Sequence, residues 1–294
     1  MLQNETLTVA RTIAQTRSIV AGWHERGLSV GLVPTMGWLH AGHLALVERA
    51  RAQTDRVLAT IFVNPLQFGP SEDFAAYPRD DERDFAILHE QRCDAVFAPG
   101  VDEMFPDGGG SIDSAWTRVS VAPLARVLCG ERRHGHFDGV ATIVLKLLMI
   151  AQPDVAYLGE KDYQQLTIVR RMVRDLCVPV RIEGVPIVRA ADGLALSSRN
   201  VYLTEQQRRI APQLFATLQT VGRQMLAGDA PAQAAARGCA ALLAAGFDTV
   251  DYLALAADDS LEPLAAMRPG ARLFAAARLG RTRLIDNIAP VSAA

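Results

Sequence analysis

Two textures alternate along the chain: short runs of β-branched and other apolar residues, and longer stretches whose apolar positions recur at three- and four-residue spacing. Residues 30–33 (Val-Gly-Leu-Val) read as a buried strand. Residues 44–52, with Leu46, Val47 and Ala50 on one face, read as a helix. Residues 56–63 give a second buried strand, so the three form a β-α-β unit and predict a parallel sheet. Further strands are predicted at residues 95–98 and 155–158, with an extended run over 179–188. Helices are predicted from Thr8 to Trp23 (through Val9, Ile13 and Val20), after an Asp80 N-cap with Phe85 and Leu88 inward, briefly over 123–128, over 140–150 with Lys146 as its single charge, and around Leu166, Val169, Met172 and Val173. The texture changes after Leu203. Residues 204–207 (Thr-Glu-Gln-Gln) form a capping box for a long helix to about Ala227, followed by an alanine-rich helix over 231–245 and strands over 249–256, 272–279 and 284–288. The predicted fold is α/β: a Rossmann-like parallel sheet flanked by helices over 1–185, then a smaller α+β C-terminal domain with an antiparallel sheet over 186–294.

Composition narrows the class without changing that picture. With 294 residues, 50% of them hydrophobic, the chain can bury a large core. A formal net charge of -2 gives no global attraction to polyanions, which argues against nucleic acid as the main partner. Cys93, Cys129, Cys177 and Cys239 form no Cys-x-x-Cys pair, against a zinc ribbon, a redox motif or a disulfide scaffold, and a reducing cytoplasm fits best. Met1 to Glu5 is polar, and no run approaches the roughly 20 apolar residues of a membrane span. Gly108-Gly109-Gly110 lacks the Lys-Ser or Lys-Thr of a phosphate-binding P-loop and reads as a turn.

The candidate chemistry gathers at residues 34–43 (Pro-Thr-Met-Gly-Trp-Leu-His-Ala-Gly-His), where a strand gives way to a helix. The first amides of a helix lack intrahelical partners and its dipole is positive there, so a phosphate is favoured and His40 and His43 add side-chain donors. Two histidines three apart are more often surface residues or a weak metal pair. At this corner, with Gly42 letting a nucleotide approach and no third or fourth zinc ligand in view, phosphate is preferred. Residues 64–68 follow the next strand and face the same crevice. Lys161-Asp162 offers a cation for a triphosphate and a carboxylate for ribose hydroxyls or magnesium, against the plainer reading of a surface ion pair. Ser197-Ser198-Arg199 suits phosphate oxygens or a solvated turn. Gln67 and Gln165 are neutral amides able to hold an acid or hydroxyl, although isolated glutamines are usually surface residues. Residues 130–139, rich in charge and glycine, read as a mobile loop, a candidate lid or second phosphate contact, with His134 and His136 as loop residues rather than metal ligands. Asp80, Asp81, Glu82 and Asp84 read as a solvated acidic helix start.

In order and spacing, residues 34–43, 61–68 (Ile-Phe-Val-Asn-Pro-Leu-Gln-Phe), 135–140 (Gly-His-Phe-Asp-Gly-Val), 159–166 (Gly-Glu-Lys-Asp-Tyr-Gln-Gln-Leu) and 192–200 (Asp-Gly-Leu-Ala-Leu-Ser-Ser-Arg-Asn) closely resemble the pantothenate synthetase (pantoate–β-alanine ligase) family of the HxGH nucleotidyltransferase-like superfamily. One departure is His134, where the family pattern has proline, and its loss should loosen that loop. The resemblance implies ATP-dependent condensation of pantoate with β-alanine through a pantoyl-adenylate, releasing pyrophosphate and AMP, with Mg2+ accompanying ATP. It implies His43 as the proton-donating catalytic residue, with His40 and Lys161 assisting. ATP would be held by Met36, Gly37, Trp38, Leu39, His40, Ala41, Gly42, His43, Gly159, Glu160, Lys161, Asp162, Val188, Leu196, Ser197, Ser198 and Arg199. Pantoate would be held by Gln67, Gln165 and Met36, and β-alanine by Gln67. The C-terminal domain would act as a lid, and the molecule would be a cytoplasmic homodimer. Two other classes share parts of the pattern: a nucleotidylyltransferase that leaves the nucleotide on a phosphorylated acceptor, and a nucleotide- or RNA-binding protein without catalysis. The first does not predict the paired glutamines, and the second calls for a basic surface.

Overall fold

The computed structural model describes residues 6–70, 72–108 and 111–290. The polar terminus Met1 to Glu5 and Gly109-Gly110 of the predicted turn lie outside them. The chain divides into two compact units, one comprising the residues up to Glu160 with Ile168–Pro186, the other Lys161–Thr167 with the residues from Ile187 onward.

The first unit runs β1 (Thr8–Ala10), α1 (Ile13–His24), β2 (Val30–Thr35), α2 (Ala41–Gln53), β3 (Arg56–Ile61), α3 (Asp81–Glu90), β4 (Ala95–Phe97), α4 (Val101–Met104), α5 (Cys129–Arg132), α6 (His136–Ala151) and β5 (Val155–Gly159), and resumes within α7 (Tyr163–Asp175) before β6 (Arg181–Val185). Six strands form one sheet in the order β1-β4-β3-β2-β5-β6, every pair parallel. Both faces are covered, so the central strands read as continuous apolar runs: Leu32, Leu58, Ala59 and Ala156 have no exposed surface. Register positions the chemistry. Thr35 of β2 lies opposite Ile61 of β3, and the Phe62 amide donates to the Thr35 carbonyl (3.1 Å), so the segments after both strands leave the sheet at one edge. β5 runs beside β2 in the same direction and delivers Gly159 to that edge.

Several sequence expectations change. Thr8–Ala10 is not the start of a helix but a strand paired with β4, because the Thr12 capping box opens α1 only at Ile13. Residues 130–139 are not a loose lid. α5 occupies their start, Gly135 takes the left-handed conformation (φ 72°), and α6 begins at His136, a turn earlier than its apolar run suggested.

In the second unit, α8 (Glu205–Ile210), α9 (Gln213–Leu226) and α10 (Pro231–Ala244) precede β7 (Thr249–Ala257), β8 (Ala271–Leu279) and β9 (Thr282–Ile288), which form an antiparallel sheet in that order. The single long helix expected after Thr204 is two helices. The capping box is present, but Pro212 lacks the amide that would carry α8 onward and instead starts α9. Leu214, Leu218 and Val221 of α9 pack with Leu273 and Ala275 of β8 in one apolar cluster.

Within this unit Arg189 forms a bidentate pair with Asp286 (2.6 and 2.8 Å), whose side chain is 2% exposed. Burial raises the Asp286 pKa above its ordinary value, and the Arg189 guanidinium opposes the rise. Arg189→Ala strands that carboxylate and is expected to destabilise the protein by about 3–5 kcal/mol. A raised folded-state pKa favours the protonated form, so the loss should shrink as the pH falls toward the ordinary value of 3.8. Urea midpoints at neutral and acid pH check both statements; a loss independent of pH would contradict the charge-burial explanation.

Candidate active site

The corner after β2 is built by buried hydrogen bonds. Thr35 Oγ1 donates to the Thr60 carbonyl (2.6 Å) and accepts from the Gly37 amide (3.1 Å). The Trp38 and Leu39 amides donate to the two carboxylate oxygens of Asp84 (2.6 and 2.9 Å). Arg83 completes the clamp, donating to Asp84 (3.0 Å) and to the Leu39 carbonyl (2.9 Å) while its guanidinium lies 4.8 Å from the Trp38 ring centroid. Gly37 (φ 80°) and Trp38 (φ 51°) both adopt left-handed backbone; a Cβ on Gly37 would come within 3.0 Å of Asp84 Oδ2.

Asp84 is therefore not part of a solvated acidic turn. Its side chain is 2% exposed, and burial raises its pKa while the Leu39 and Trp38 amides and Arg83 oppose the shift. The missed signal is its spacing, four residues before buried Leu88 on the inward face of α3.

His40 caps α2. Its Nδ1 accepts from the Gly42 amide (3.1 Å), and the His40 amide donates to His43 Nδ1 (3.3 Å), with the ring centroids 4.2 Å apart. An acceptor nitrogen carries no hydrogen, so each neutral ring is held as the Nε2–H tautomer. This alters the expectation of unpartnered helix amides. The Gly37, Trp38, Leu39 and Gly42 amides have acceptors within the chain, and the His43 amide donates to the His40 carbonyl (2.8 Å). The corner thus joins the positive end of the α2 dipole to two imidazoles whose tautomers are set by these bonds.

Gln67 ends a short 3-10 turn (Pro65–Gln67) capped by Asn64 and is buried. Its Nε2 lies 3.0 Å from Met36 Sδ, and its Oε1 accepts from Asn64 Nδ2 (3.1 Å). The structure thus joins Met36 to Gln67 as it joins His40 to His43. Ala41 is exposed at the head of α2, and Gly159 and Glu160, at the end of β5, are half-buried.

In the second unit, Lys161 Nζ lies 3.5 Å from Asp162 Oδ1, and the Lys161 carbonyl accepts from Asn287 Nδ2 (3.0 Å). Gln165 is half-buried at the start of α7. The Leu196 amide donates to the Val188 carbonyl (3.0 Å), so these two expected nucleotide contacts are neighbours. Ser197 Oγ caps the next 3-10 turn by accepting from the Arg199 amide (3.3 Å), and Ser198 is buried. Asn287, buried in β9, escaped the sequence reading because nothing in its strand pattern marks it as a support for Lys161. Among the described residues, no group of three or more His, Cys, Asp or Glu side chains could hold a metal ion, and no helix is long and apolar enough to cross a membrane.

The family model for pantoate-beta-alanine ligase matches residues 8–289. A pantothenate synthetase of Paramagnetospirillum magneticum is 52% identical over 280 residues, 95% of this chain and 96% of its own length. That of Sphingopyxis alaskensis is 53% identical over 282 residues, covering 96% and 99%. Among solved structures, the pantothenate synthetase of Thermus thermophilus superposes with a TM-score of 0.88 at 49% identity, over 96% of this chain and 99% of that one. The pantoate-beta-alanine ligase of Francisella tularensis, crystallised with beta-gamma ATP and beta-alanine, gives 0.79 at 33% identity, over 96% and 97%.

Proposed function

The chain belongs to the pantoate–β-alanine ligase family, and on that premise we propose that it condenses (R)-pantoate with β-alanine at the expense of ATP through a pantoyl-adenylate. A pantoate carboxylate oxygen attacks the α-phosphorus, the bond from that phosphorus to the bridging oxygen breaks, and pyrophosphate leaves. The β-alanine nitrogen then attacks the acyl carbon, the amide forms as AMP departs, and the nitrogen releases its protons. The first step needs alignment and charge stabilisation more than proton transfer. The observation that carries this reading is the pair of imidazoles held as Nε2–H donors at the head of α2.

In the proposed assignment, His43 is the catalytic donor to charge developing at the phosphates, with His40 and Lys161 assisting. Met36 to Gly42, Gly159, Glu160, Asp162 and Val188 hold the nucleotide, Asp162 at the ribose, and Leu196, Ser197, Ser198 and Arg199 close over the triphosphate. Met36, Gln67 and Gln165 hold pantoate, and Gln67 also meets β-alanine. Mg2+ would neutralise phosphate charge; with no cage of three ligands among the described residues, it would be bound chiefly by the nucleotide's own oxygens, and none of these roles depends on it. We further propose a cytoplasmic homodimer, by analogy with the family.

An assay for AMP release that depends on ATP, pantoate and β-alanine together tests the reaction. Free AMP supports the ligase; nucleotide retained on an acceptor would mean a nucleotidylyltransferase, and no turnover a binding protein. Gln67→Ala is expected to weaken pantoate about tenfold or more, by loss of a desolvated hydrogen bond, with a smaller effect on ATP. Separate ligand titrations decide, and an unchanged pantoate affinity would remove Gln67 from the site.

A further inference from the structure

Residues 133–139 include the Gly-His-Phe-Asp-Gly stretch of the family resemblance, yet the proposed chemistry gives them no task. We propose that His136 is a positioning residue for Gln67, acting with Arg133 and Glu72 to fix the short turn on which Gln67 is carried. This rests on the reading of Gln67 as a substrate-binding residue.

Hydrogen-bond direction carries the case. His136 is buried, and its Nδ1 lies 2.7 Å from the Gln67 carbonyl oxygen. A carbonyl only accepts, so Nδ1 bears the hydrogen and Nε2 presents a lone pair. Arg133 Nη1 lies 2.7 Å from that Nε2 and donates to it. The other arms of the guanidinium, Nε and Nη2, donate to Glu72 Oε1 and Oε2, each at 2.7 Å, in a bidentate pair that fixes its plane. Each group thereby dictates the role of the next, and the series ends on the backbone of Gln67.

A second hold comes from the same helix. Asn64 Nδ2 donates to the Gly139 carbonyl as well as to Gln67 Oε1, both at 3.1 Å. A Cβ on Gly139 would lie 2.2 Å from the Leu66 carbonyl oxygen, so the first turn of α6 meets the 3-10 turn at a distance only glycine permits. Backbone and side-chain amide of Gln67 are thus fixed from one place, the N-terminal turn of α6. That is the requirement for a neutral amide that must meet its substrate at a set distance and angle.

The test uses the full-length protein with steady-state kinetics for all three substrates and a thermal midpoint for each variant. His136→Ala is expected to raise KM for pantoate about tenfold while KM for ATP changes less than about twofold. His136→Asn, whose side-chain N–H can stand where Nδ1–H stood, should recover most of the loss. Arg133→Met, altered at the outer end of the series, should shift pantoate KM in the same direction by a smaller factor and serves if the His136→Ala protein does not fold. An unchanged pantoate KM in whichever of these two variants folds, parallel rises for all three substrates, or an asparagine variant as impaired as alanine would overturn the positioning role. Gln67→Ala separates the two levels. If it weakens pantoate and His136→Ala does not, only the positioning fails; if it leaves pantoate binding unchanged, the reading of Gln67 fails and takes the positioning role with it.

Discussion

Replacing His43 with alanine is expected to slow pantoyl-adenylate formation by about 10²- to 10³-fold, the usual consequence of deleting one preorganised donor to developing charge. The far-ultraviolet circular dichroism spectrum should not change, because the bond from the His40 amide to His43 Nδ1 (3.3 Å) is local to the head of α2. Two isosteric variants separate that bond from the chemistry. His43→Asn can place an oxygen where Nδ1 accepts and keep the backbone bond, but has no group at the Nε2 position; it should stay slow. His43→Gln can place an N–H near the Nε2 position and should regain part of the rate. Pantoate-dependent exchange of labelled pyrophosphate into ATP reports the first half-reaction alone. Near-normal exchange in a folded His43→Ala protein, or recovery in the asparagine variant only, would sink the donor role.

The second large effect is expected at Asp84, which touches no proposed substrate. Asp84→Ala removes the acceptor of the Trp38 and Leu39 amides (2.6 and 2.9 Å) and of Arg83 (3.0 Å). Leaving such donors without an acceptor should destabilise the protein by about 2–4 kcal/mol. A displacement of about 1 Å in the corner that carries His40 and His43 should lower kcat by about 10²-fold. Asp84→Asn keeps one acceptor but turns an NH2 toward the other amide, so its activity should be intermediate. It also tests the charge. Burial raises the Asp84 pKa, so its stability contribution is full below the ordinary value of 3.8 and falls as the pH rises through the folded value. The asparagine variant should lack that fall. Urea midpoints across the acid range, with kcat at neutral pH, decide; an Asp84→Ala enzyme with wild-type stability and turnover would show that the clamp is dispensable.

Much of this was legible in the chain alone, because periodicity and punctuation are local. The runs at residues 30–33 and 56–63 announced β2 and β3, Asp80 announced the start of α3, and the sequence from Pro34 to His43 announced a strand-to-helix corner with two histidines. Motif order likewise pointed to the ligase family, since the resemblance lies in short stretches that a chain displays without being folded. Two further features obey local rules as well: Pro212, which divides α8 from α9, and Thr12, whose capping box delays α1.

Tertiary structure alone decided what Asp84 and His136 face. By sequence Asp84 is one of four acids at a helix start, and only the packing of α3 against the corner makes it the acceptor for Trp38 and Leu39. By sequence the head of α2 offers amides to a phosphate. In the folded chain His40 itself accepts from the Gly42 and His43 amides, and local bonds set the tautomers of the two imidazoles. His136 read as a residue of a mobile loop, yet it is buried against Gln67, 69 positions earlier in the chain. The physical reason is common to Asp84 and His136: hydrophobic periodicity states which face of an element turns inward, whereas a hydrogen bond needs its partner's position, and that partner arrives from a distant segment only when the sheet and helices have packed.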